Sequence, residues 1–246
     1  LTLGLLLVAA PSAVRAQTKE SFRAFLETLW PDAKAMGIRR ESFDAALRGV
    51  ELDVTLPDLV IPGKTDPEPR GQAEFTRTPA EYLANGQLAR LAEQGIALKE
   101  KHAPWLDKIE KELGVQRQFV LAIWGRETAF GHGNLQYYAV QVLANEAYLG
   151  RRKDMFRNEI LQALKMLQAG VPRAEMRSSW AGAVGLTQFM PSEYFQYATD
   201  IDGDGKIDIF NSVPDALASA AKQLKGKGWV AGQGWGFEVR VPKGSD

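Results

Sequence analysis

Helical periodicity is the feature that most constrains what this chain can fold into. From residue 18 onward, apolar side chains recur mostly at spacings of three and four, as on the buried face of a helix. Residues 22–30 show this well, because Phe22, Phe25, Leu26, Leu29 and Trp30 fall on one stripe. The same spacing predicts helices over 39–49, 78–101, 104–113, 116–129, 151–170 and 214–225. The sequence therefore indicates a mainly α fold.

Two stretches depart from this pattern. Residues 50–76 are rich in Pro, Asp and Gly, which predicts an irregular segment and the best candidate for a junction between lobes. Residues 234–244 alternate apolar and polar side chains, which predicts a small β element near the C-terminus. Neither stretch marks a convincing domain boundary, so residues 17–246 are expected to form one domain.

Charge and length limit the function classes. The 246 residues carry 30 basic and 30 acidic side chains, with no long run of one sign. Proteins that bind nucleic acid usually carry a basic excess, so a nucleic-acid partner is not expected. With 45% hydrophobic residues, the composition is typical of a globular protein.

The N-terminal residues 1–16 are predicted to be the end of a secretory signal peptide. An apolar run is followed by small residues and by the cleavage-like triplet Val14-Arg15-Ala16. The run is too short to span a bilayer. A structural N-terminal helix is the alternative. Because the sequence contains no cysteine, neither disulfides nor a cysteine-linked lipid anchor is expected.

Glu127 stands out within the helix predicted over 116–129. Helical spacing places it on the stripe of Phe119, Val120, Ile123 and Trp124, so it is expected to face the core or the edge of a cleft. Desolvation there would raise the pKa of the carboxyl group and suit it to general acid catalysis. The alternative is an ordinary glutamate at a helix end, paired with a neighbouring cation or with backbone.

No second catalytic carboxylate is evident from a motif. Glu146 and Glu159 occupy ordinary helical positions and are expected to be solvated. Since hydrolytic glycosidases usually use two carboxylates, a single acid favours a different reaction. In that reaction the acid protonates a glycosidic oxygen, and the resulting base then deprotonates a hydroxyl of the same sugar, which closes on the anomeric carbon.

Residues 178–198 have the composition of a sugar-binding surface. Ser179 and Gln188 offer neutral hydrogen-bonding groups, and Gly182 and Gly185 permit close backbone approach or tight packing. The aromatic side chains that could stack on sugars are Trp180, Phe189, Tyr194, Phe195 and Tyr197. The alternative is a packed corner between helices.

The acidic stretch 200–211 matches the first half of an EF-hand-like calcium loop. The ligands predicted there are Asp200, Asp202, Asp204 and the carbonyl group of Lys206. Position 12 is Asn211 instead of glutamate, so affinity should be lower, and Asp215 is the further carboxylate predicted to help. The alternative for Asp215 is a helix-capping role. We expect any calcium ion to be structural; a regulatory calcium sensor would need a second, paired loop.

Several motifs, in order, resemble the lytic murein transglycosylases of the membrane-bound transglycosylase B type. The resemblance covers roughly residues 20–240 and rests on the segments IWGRETAFG, AYLGRRKDMFRNEILQALKMLQ, SSWAGAVGLTQFMPSEYFQYA and GWVAGQGWGFEV. It implies a lysozyme-like α-rich catalytic domain in the periplasm, with a calcium loop of this kind. It also implies non-hydrolytic cleavage of the MurNAc–GlcNAc bond of peptidoglycan, leaving 1,6-anhydromuramoyl ends.

The resemblance also implies roles for individual residues. Glu127 matches the catalytic acid and base of the family. The positions that match the sugar-binding cleft are Ser179, Gln188, Phe189, Met190 and the pair Arg151 and Arg152. The alternative for the arginine pair is a salt-bridged helix start.

The sequence departs from the family at two places. Ala129 replaces a frequent asparagine, and the family's C-terminal stretch beyond residue 246 is missing, as in a natural short form or a fragment. An inactive or weakly active wall-binding module and a hydrolysing muramidase therefore stay as alternative functions.

Overall fold

The computed structural model describes residues 12–61, 85–234, 236 and 239–240. Within these residues the chain is mainly α-helical, as predicted. The helices are α1 (Ser12–Glu27), α2 (Trp30–Ala35), α3 (Arg40–Leu47), α4 (Asn85–Lys101), α5 (Ala103–Leu113), α6 (Arg117–Thr128), α7 (Ala139–Leu149), α8 (Lys153–Gln168), α9 (Pro191–Tyr197) and α10 (Val213–Gly226). Two short strands, β1 (Tyr137–Tyr138) and β2 (Arg177–Ser178), pair antiparallel, with Tyr137 opposite Ser178.

One hydrophobic core joins the N-terminal helices α1 to α3 to α7, α8 and the segment before α9. Phe22, Leu26 and Leu29 from the predicted stripe are buried in it, and Phe25 and Trp30 pack at its edge. Phe43 of α3 and Phe156 of α8 are fully buried in the same core. The periodic N-terminal sequence therefore forms the wall against which α7 and α8 pack.

A second core joins α4, α5, α6 and α10. Its fully buried members include Leu106 and Ile109 of α5, Val120 of α6 and Leu217 of α10. Each of these helices keeps a polar outer face, which is why the spacing of three and four was visible in the sequence. This core supports α6, the helix that carries Glu127.

The bounds of helix α7 were not predicted from the sequence, although Glu146 within it was expected at a helical position. Nine of its eleven residues are buried. A helix that is buried on nearly all sides has no polar face, so its sequence shows no amphipathic period. The short helix α9 was missed as well, because seven residues are too few to establish a period.

Several predictions fall on residues outside the described ranges. Residues 1–11 of the predicted signal peptide and the predicted helix start at 78–84 lie there, whereas residues 12–16 form the start of α1. Residues 234, 236, 239 and 240 are not in a strand, and the rest of 235–246 is outside. The signal peptide and the C-terminal β element therefore stay predictions. No described helix is both long enough and apolar enough to cross a bilayer.

A candidate cleft at the C-terminal end of helix α6

The end of α6 has an unusual backbone. The helix stops at Thr128, and the next two residues, Ala129 and Phe130, adopt left-handed conformations with φ of 47° and 58°. Such conformations are unfavourable for residues other than glycine, and they often occur at functional sites. The Phe130 ring folds back edge-on to Trp124, with 5.3 Å between ring centroids. Glu127 thus lies two residues before a strained and well-packed chain reversal.

Glu127 itself is exposed, so the prediction that it could face the core is wrong. Val120 and Trp124 of the predicted stripe are buried, but the stripe does not continue to Glu127. The buried position at the end of the helix belongs to Thr128, whose side chain is 2% exposed. The other expected position, at the edge of a cleft, is compatible with this exposure.

Thr128 links the end of α6 to the segment 178–190 through a hydrogen bond. Its hydroxyl group donates a hydrogen bond to the carbonyl oxygen of Leu186 at 2.7 Å. The same hydroxyl oxygen accepts a hydrogen bond from the backbone N–H of Gly131 at 3.1 Å. The structure therefore brings the neighbourhood of Glu127 together with the predicted sugar-binding segment, although the two are about 60 residues apart in sequence.

The segment 178–190 folds into tight turns. Isolated bridges pair Ser178 with Val184, and Val184 with Phe189. The Oγ of Ser179 accepts the N–H of Ala183 at 3.2 Å. Gln188 has a left-handed backbone, with φ of 56°, and donates from its side-chain nitrogen to the Gly185 carbonyl at 3.1 Å. Ser179 and Gln188 are both half-buried, so each presents part of its side chain to the surface.

The glycines of this segment are required by packing. Gly182 has φ of 85°, and a Cβ atom built there would overlap the side chain of Leu143 in α7. A Cβ atom on Gly185 would lie 2.8 Å from the carbonyl oxygen of Ile209. Of the two uses that the sequence allowed for these glycines, tight packing is the one observed.

The predicted aromatic faces divide into buried and accessible rings. Phe189 is 0% exposed and Tyr197 is 9% exposed, so neither offers a face to a sugar. The bridge between Val184 and Phe189 directs the Phe189 ring into the first core, where Met190 packs at the edge. Phe195 is 42% exposed. The expectation that the Phe189 side chain lines a sugar subsite is therefore not supported by its position.

The arginine pair lies in the turn between α7 and α8. Arg151 forms a salt bridge with Asp58, with 3.1 Å between Nε and Oδ1. Arg152 is exposed, and its guanidinium carbon lies 5.2 Å from the centre of the Phe156 ring. The alternative of a salt-bridged helix start thus describes Arg151, whereas Arg152 directs a cation to the surface.

Three aspartates of the acidic loop lie close together. One carboxylate oxygen from each of Asp200, Asp202 and Asp204 takes part, and these three oxygens all lie within 4.8 Å of one another. Asp215 is buried, and its two oxygens accept the backbone N–H groups of Ile201 and Asp208 at 2.9 and 3.0 Å. Burial, together with the nearby charges of Asp202 and Asp200, raises the pKa of Asp215.

The acidic loop is attached to the candidate cleft. The N–H of Leu186 donates to the carbonyl oxygen of Ile209 at 3.0 Å. Because the Leu186 carbonyl accepts from Thr128, the loop and the end of α6 are both fixed to the same residue of the segment 178–190. At the far end of the loop, the Oγ of Ser212 accepts the N–H of Asp215, which is the capping interaction expected at the start of α10.

Two glutamates that were expected to be solvated are buried. Glu159 of α8 is 5% exposed and accepts hydrogen bonds from the N–H and the hydroxyl group of Ser192, at 2.9 and 2.7 Å. It therefore stabilises the first turn of α9. Its position on the buried stripe of α8, at three residues from Phe156, was the sequence signal that could have revealed it.

Glu146 of α7 is 0% exposed, and neither of its carboxylate oxygens has a hydrogen-bond partner among the described residues. Its pKa is raised to about 7, chiefly by burial and also by the charge of Asp58, against the opposing charge of Arg152. No sequence signal identified this residue, because α7 itself shows no amphipathic period.

Comparisons with known proteins agree with this architecture. Residues 21–246 match the family described as Transglycosylase SLT domain. Over 142 residues the chain is 32% identical to Membrane-bound lytic murein transglycosylase B of Escherichia coli K12, which covers 57% of this chain and 39% of that protein.

Solved structures give the same result. SltB3 from Pseudomonas aeruginosa, in complex with NAG-NAM-pentapeptide, superposes with a TM-score of 0.76 and 38% identity over 92% of this chain and 58% of that one. Its complex with NAG-anhNAM-pentapeptide gives 0.78 and 42% over 91% and 57%. The Escherichia coli lytic transglycosylase Slt35 in complex with calcium gives 0.55 and 31% over 59% and 47%.

The chain thus spans less than two thirds of the length of each of these relatives. The family match nevertheless extends over nearly the whole chain, and the mainly α, lysozyme-like architecture expected from the sequence is the one observed. This chain belongs to the Transglycosylase SLT domain family.

Proposed function

We propose that this chain is a peptidoglycan lytic transglycosylase domain that cleaves the MurNAc–GlcNAc bond without water and leaves 1,6-anhydromuramoyl ends. Membership of the SLT family supports the reaction class. SltB3, which is 38–42% identical, has been solved with NAG-NAM-pentapeptide and with NAG-anhNAM-pentapeptide. The observation that carries the proposal is the exposed Glu127 at a strained helix end, fixed through Thr128 to the segment 178–190.

In the proposed mechanism Glu127 acts first as an acid and then as a base. Its carboxyl group gives a proton to the glycosidic oxygen, and the bond from this oxygen to C1 of the muramoyl sugar breaks. The carboxylate then takes the proton of the C6 hydroxyl group while that oxygen bonds to C1. The proton is thereby returned to Glu127, and no water is consumed.

The geometry supports a single catalytic carboxylate. Glu159 is buried and engaged with Ser192, and Glu146 on α7 is buried beneath residues 50–61, so neither is open to a glycan as the second acid of a hydrolase would be. Since Glu127 is exposed in the ligand-free chain, the glycan itself has to cover the carboxyl group and exclude water. Ser179 and Gln188 are the half-buried polar groups proposed to orient the sugar beside it.

The deciding experiment is product analysis on purified murein sacculi by mass spectrometry. We expect anhydromuramoyl ends from the wild type and none from Glu127→Gln, while Glu112→Gln, an exposed glutamate on α5, serves as the matched control. Unchanged cleavage by Glu127→Gln would refute the assignment of the acid. Reducing ends would indicate a muramidase, and binding without products would indicate a wall-binding module.

We further propose that the acidic loop binds a structural calcium ion. The proposed ligands are the carboxylates of Asp200, Asp202, Asp204 and Asp215 and the carbonyl oxygen of Lys206, because closely spaced aspartates repel one another without a cation. The calcium complex of Slt35 supports this. Calcium should raise the melting temperature relative to a chelator, and Asp204→Asn should abolish most of this shift. An identical shift in the variant would contradict the site.

The proposal includes export to the periplasm, where peptidoglycan lies. The apolar residues 1–10 and the triplet before Gln17 support it. Expression with an intact leader, followed by mass measurement of the secreted protein, should show cleavage after Ala16. A mature chain that retains residues 1–16 would contradict it.

A further inference from the structure

The buried Glu146 supports the turn that carries the arginine pair. Gly150, the first residue after α7, lies directly on its carboxyl group, since a Cβ atom built on Gly150 would overlap Oε2. On the same face of α7, Val142 and Leu149 pack against Leu56 and Leu59. Glu146 is therefore enclosed between α7, its own C-terminal turn and the segment 50–61, which we call the strap.

The strap and the turn are joined by several contacts. Leu59 pairs with Gly150 in an antiparallel bridge. The N–H of Val60 donates to the Leu149 carbonyl at 2.7 Å, and Arg151 donates from Nε to Asp58 at 3.1 Å. Gly150 contacts the Glu146 carboxyl group and also pairs with Leu59 of the strap. A shift of that carboxyl group would therefore move the turn.

The charged groups that act on Glu146 come from two directions. Asp58 lies on the strap and disfavours ionisation of Glu146, whereas Arg152, just before α8, favours it. Arg151, the residue before Arg152, forms a salt bridge with Asp58. Both arginines are exposed, but Arg151 is engaged in the salt bridge with Asp58, whereas Arg152 lies over the ring of Phe156.

We propose that Glu146 is a positioning residue for substrate binding: its protonated form supports the turn with Arg152 directed outward to a carboxylate of the wall peptide, and its ionised form draws Arg152 inward. This inference rests on the proposed function, in which the arginine pair contacts the wall polymer. SltB3 binds glycan fragments that carry a pentapeptide, whose C-terminal carboxylate is an anion of the required kind.

The physical reason is the cost of a buried charge. A protonated carboxyl group is tolerated in an apolar enclosure, but a carboxylate there needs hydrogen-bond donors. Arg152 is the cation whose charge acts on Glu146, and its guanidinium group can supply two donors to a carboxylate. Because the pKa of Glu146 is raised to about 7, chiefly by burial, the change falls near neutral pH, and affinity for the anion should decrease as pH rises through this value.

The test is binding of the full chain to purified sacculi, measured by sedimentation from pH 5.5 to 8.5. The wild type should lose several-fold affinity between pH 6 and 8, a range in which wall carboxylates stay ionised. Glu146→Gln, which imitates the protonated form, should keep the high affinity at every pH. Arg152→Gln should bind weakly throughout, with little dependence on pH.

Three outcomes would overturn the inference. Parallel pH profiles for the wild type and Glu146→Gln would show that another group titrates. Weak binding by Glu146→Gln at low pH, with an unchanged melting temperature, would show that a neutral side chain is not sufficient. Absence of binding by every protein, including the wild type, would reject the proposed function together with the role of Glu146, whereas the first two outcomes reject only the latter.

Discussion

Replacing Thr128 by valine tests whether the end of α6 is fixed to the segment 178–190 in the way that the reaction needs. Valine has nearly the same shape as threonine, so packing is conserved, but it can neither donate nor accept a hydrogen bond. The substitution leaves the carbonyl group of Leu186 and the N–H of Gly131 without their hydroxyl partner. Thr128 is 2% exposed and Leu186 is half-buried, so water cannot easily replace the hydroxyl group at the Leu186 carbonyl, whereas Gly131 is exposed and its N–H is more accessible to water.

The size of the effect follows from these two groups. A buried backbone group that loses its partner costs about 1–3 kcal/mol, and the exposed N–H of Gly131 should add only about 1 kcal/mol, so the free energy of unfolding should fall by roughly 2–4 kcal/mol. In a chain of this length about 1 kcal/mol corresponds to about 2–4 °C, so the melting temperature should fall by roughly 5–15 °C. Since Glu127 precedes Thr128 directly, kcat on sacculi should also fall, by roughly tenfold or more, because small displacements of a catalytic group are costly.

Urea denaturation followed by far-UV circular dichroism, together with turnover of sacculi well below the melting temperature, measures both effects. Thr128→Ser is the matched control, because it keeps the hydroxyl group and loses only a buried methyl group, at about 1 kcal/mol. The reasoning is refuted if the valine variant is as stable as the serine variant, or if it is destabilised but keeps the wild-type kcat.

Three further substitutions, one of them with a matched control, test other contacts. Glu146→Gln should remove a pH dependence: the folded-state pKa of about 7 lies above 4.5, so wild-type stability should decrease by about 3 kcal/mol as pH rises from 4.5 through 7, and urea titrations of the variant should lack this decrease. Gly182→Ala should cost about 2–4 kcal/mol, from left-handed strain and overlap with Leu143. Gly203→Ala, equally left-handed but in open space, should cost only about 1–2, and equal losses would contradict the overlap. Glu159→Gln should weaken the two bonds to the first turn of α9 and cost about 1–2 kcal/mol; an unchanged melting temperature would contradict that role.

Sequence periodicity located the helices that have a solvated face. The helix predicted over 104–113 is observed as Ala103–Leu113, and that predicted over 214–225 as Val213–Gly226. Both have one buried and one polar side, so the period of 3.6 residues is visible in their composition. The helix Ala139–Leu149 could not be found in this way, because contacts distant in sequence bury it on nearly every side.

The candidate site was predictable in composition but not in backbone geometry. The glycines of 178–190 indicated close backbone approach or tight packing, and Gly182 and Gly185 are tightly packed there. The left-handed conformations at Ala129, Phe130 and Gln188 had no signal, because residues of these types rarely adopt them. They are held by tertiary contacts, including the hydrogen bond from Thr128 to Leu186, and such contacts between distant segments are not encoded in local spacing.

A buried carboxyl group with a raised pKa was expected at Glu127, but it is found at Glu146. Helical spacing extended the predicted apolar stripe to Glu127. The helix α6 ends at Thr128, however, and the side chain that contacts the segment 178–190 is that of Thr128. On α7 the strap covers the equivalent face, so Glu146 is enclosed in the folded chain at all times. In the proposed mechanism, exposure leaves Glu127 accessible to the glycosidic oxygen, and the glycan excludes water only when it binds. A buried acid would be shielded from its substrate as well, so in the proposed mechanism the exposed glutamate is suited to proton transfer, and we propose that the enclosed glutamate supports the turn that carries Arg152.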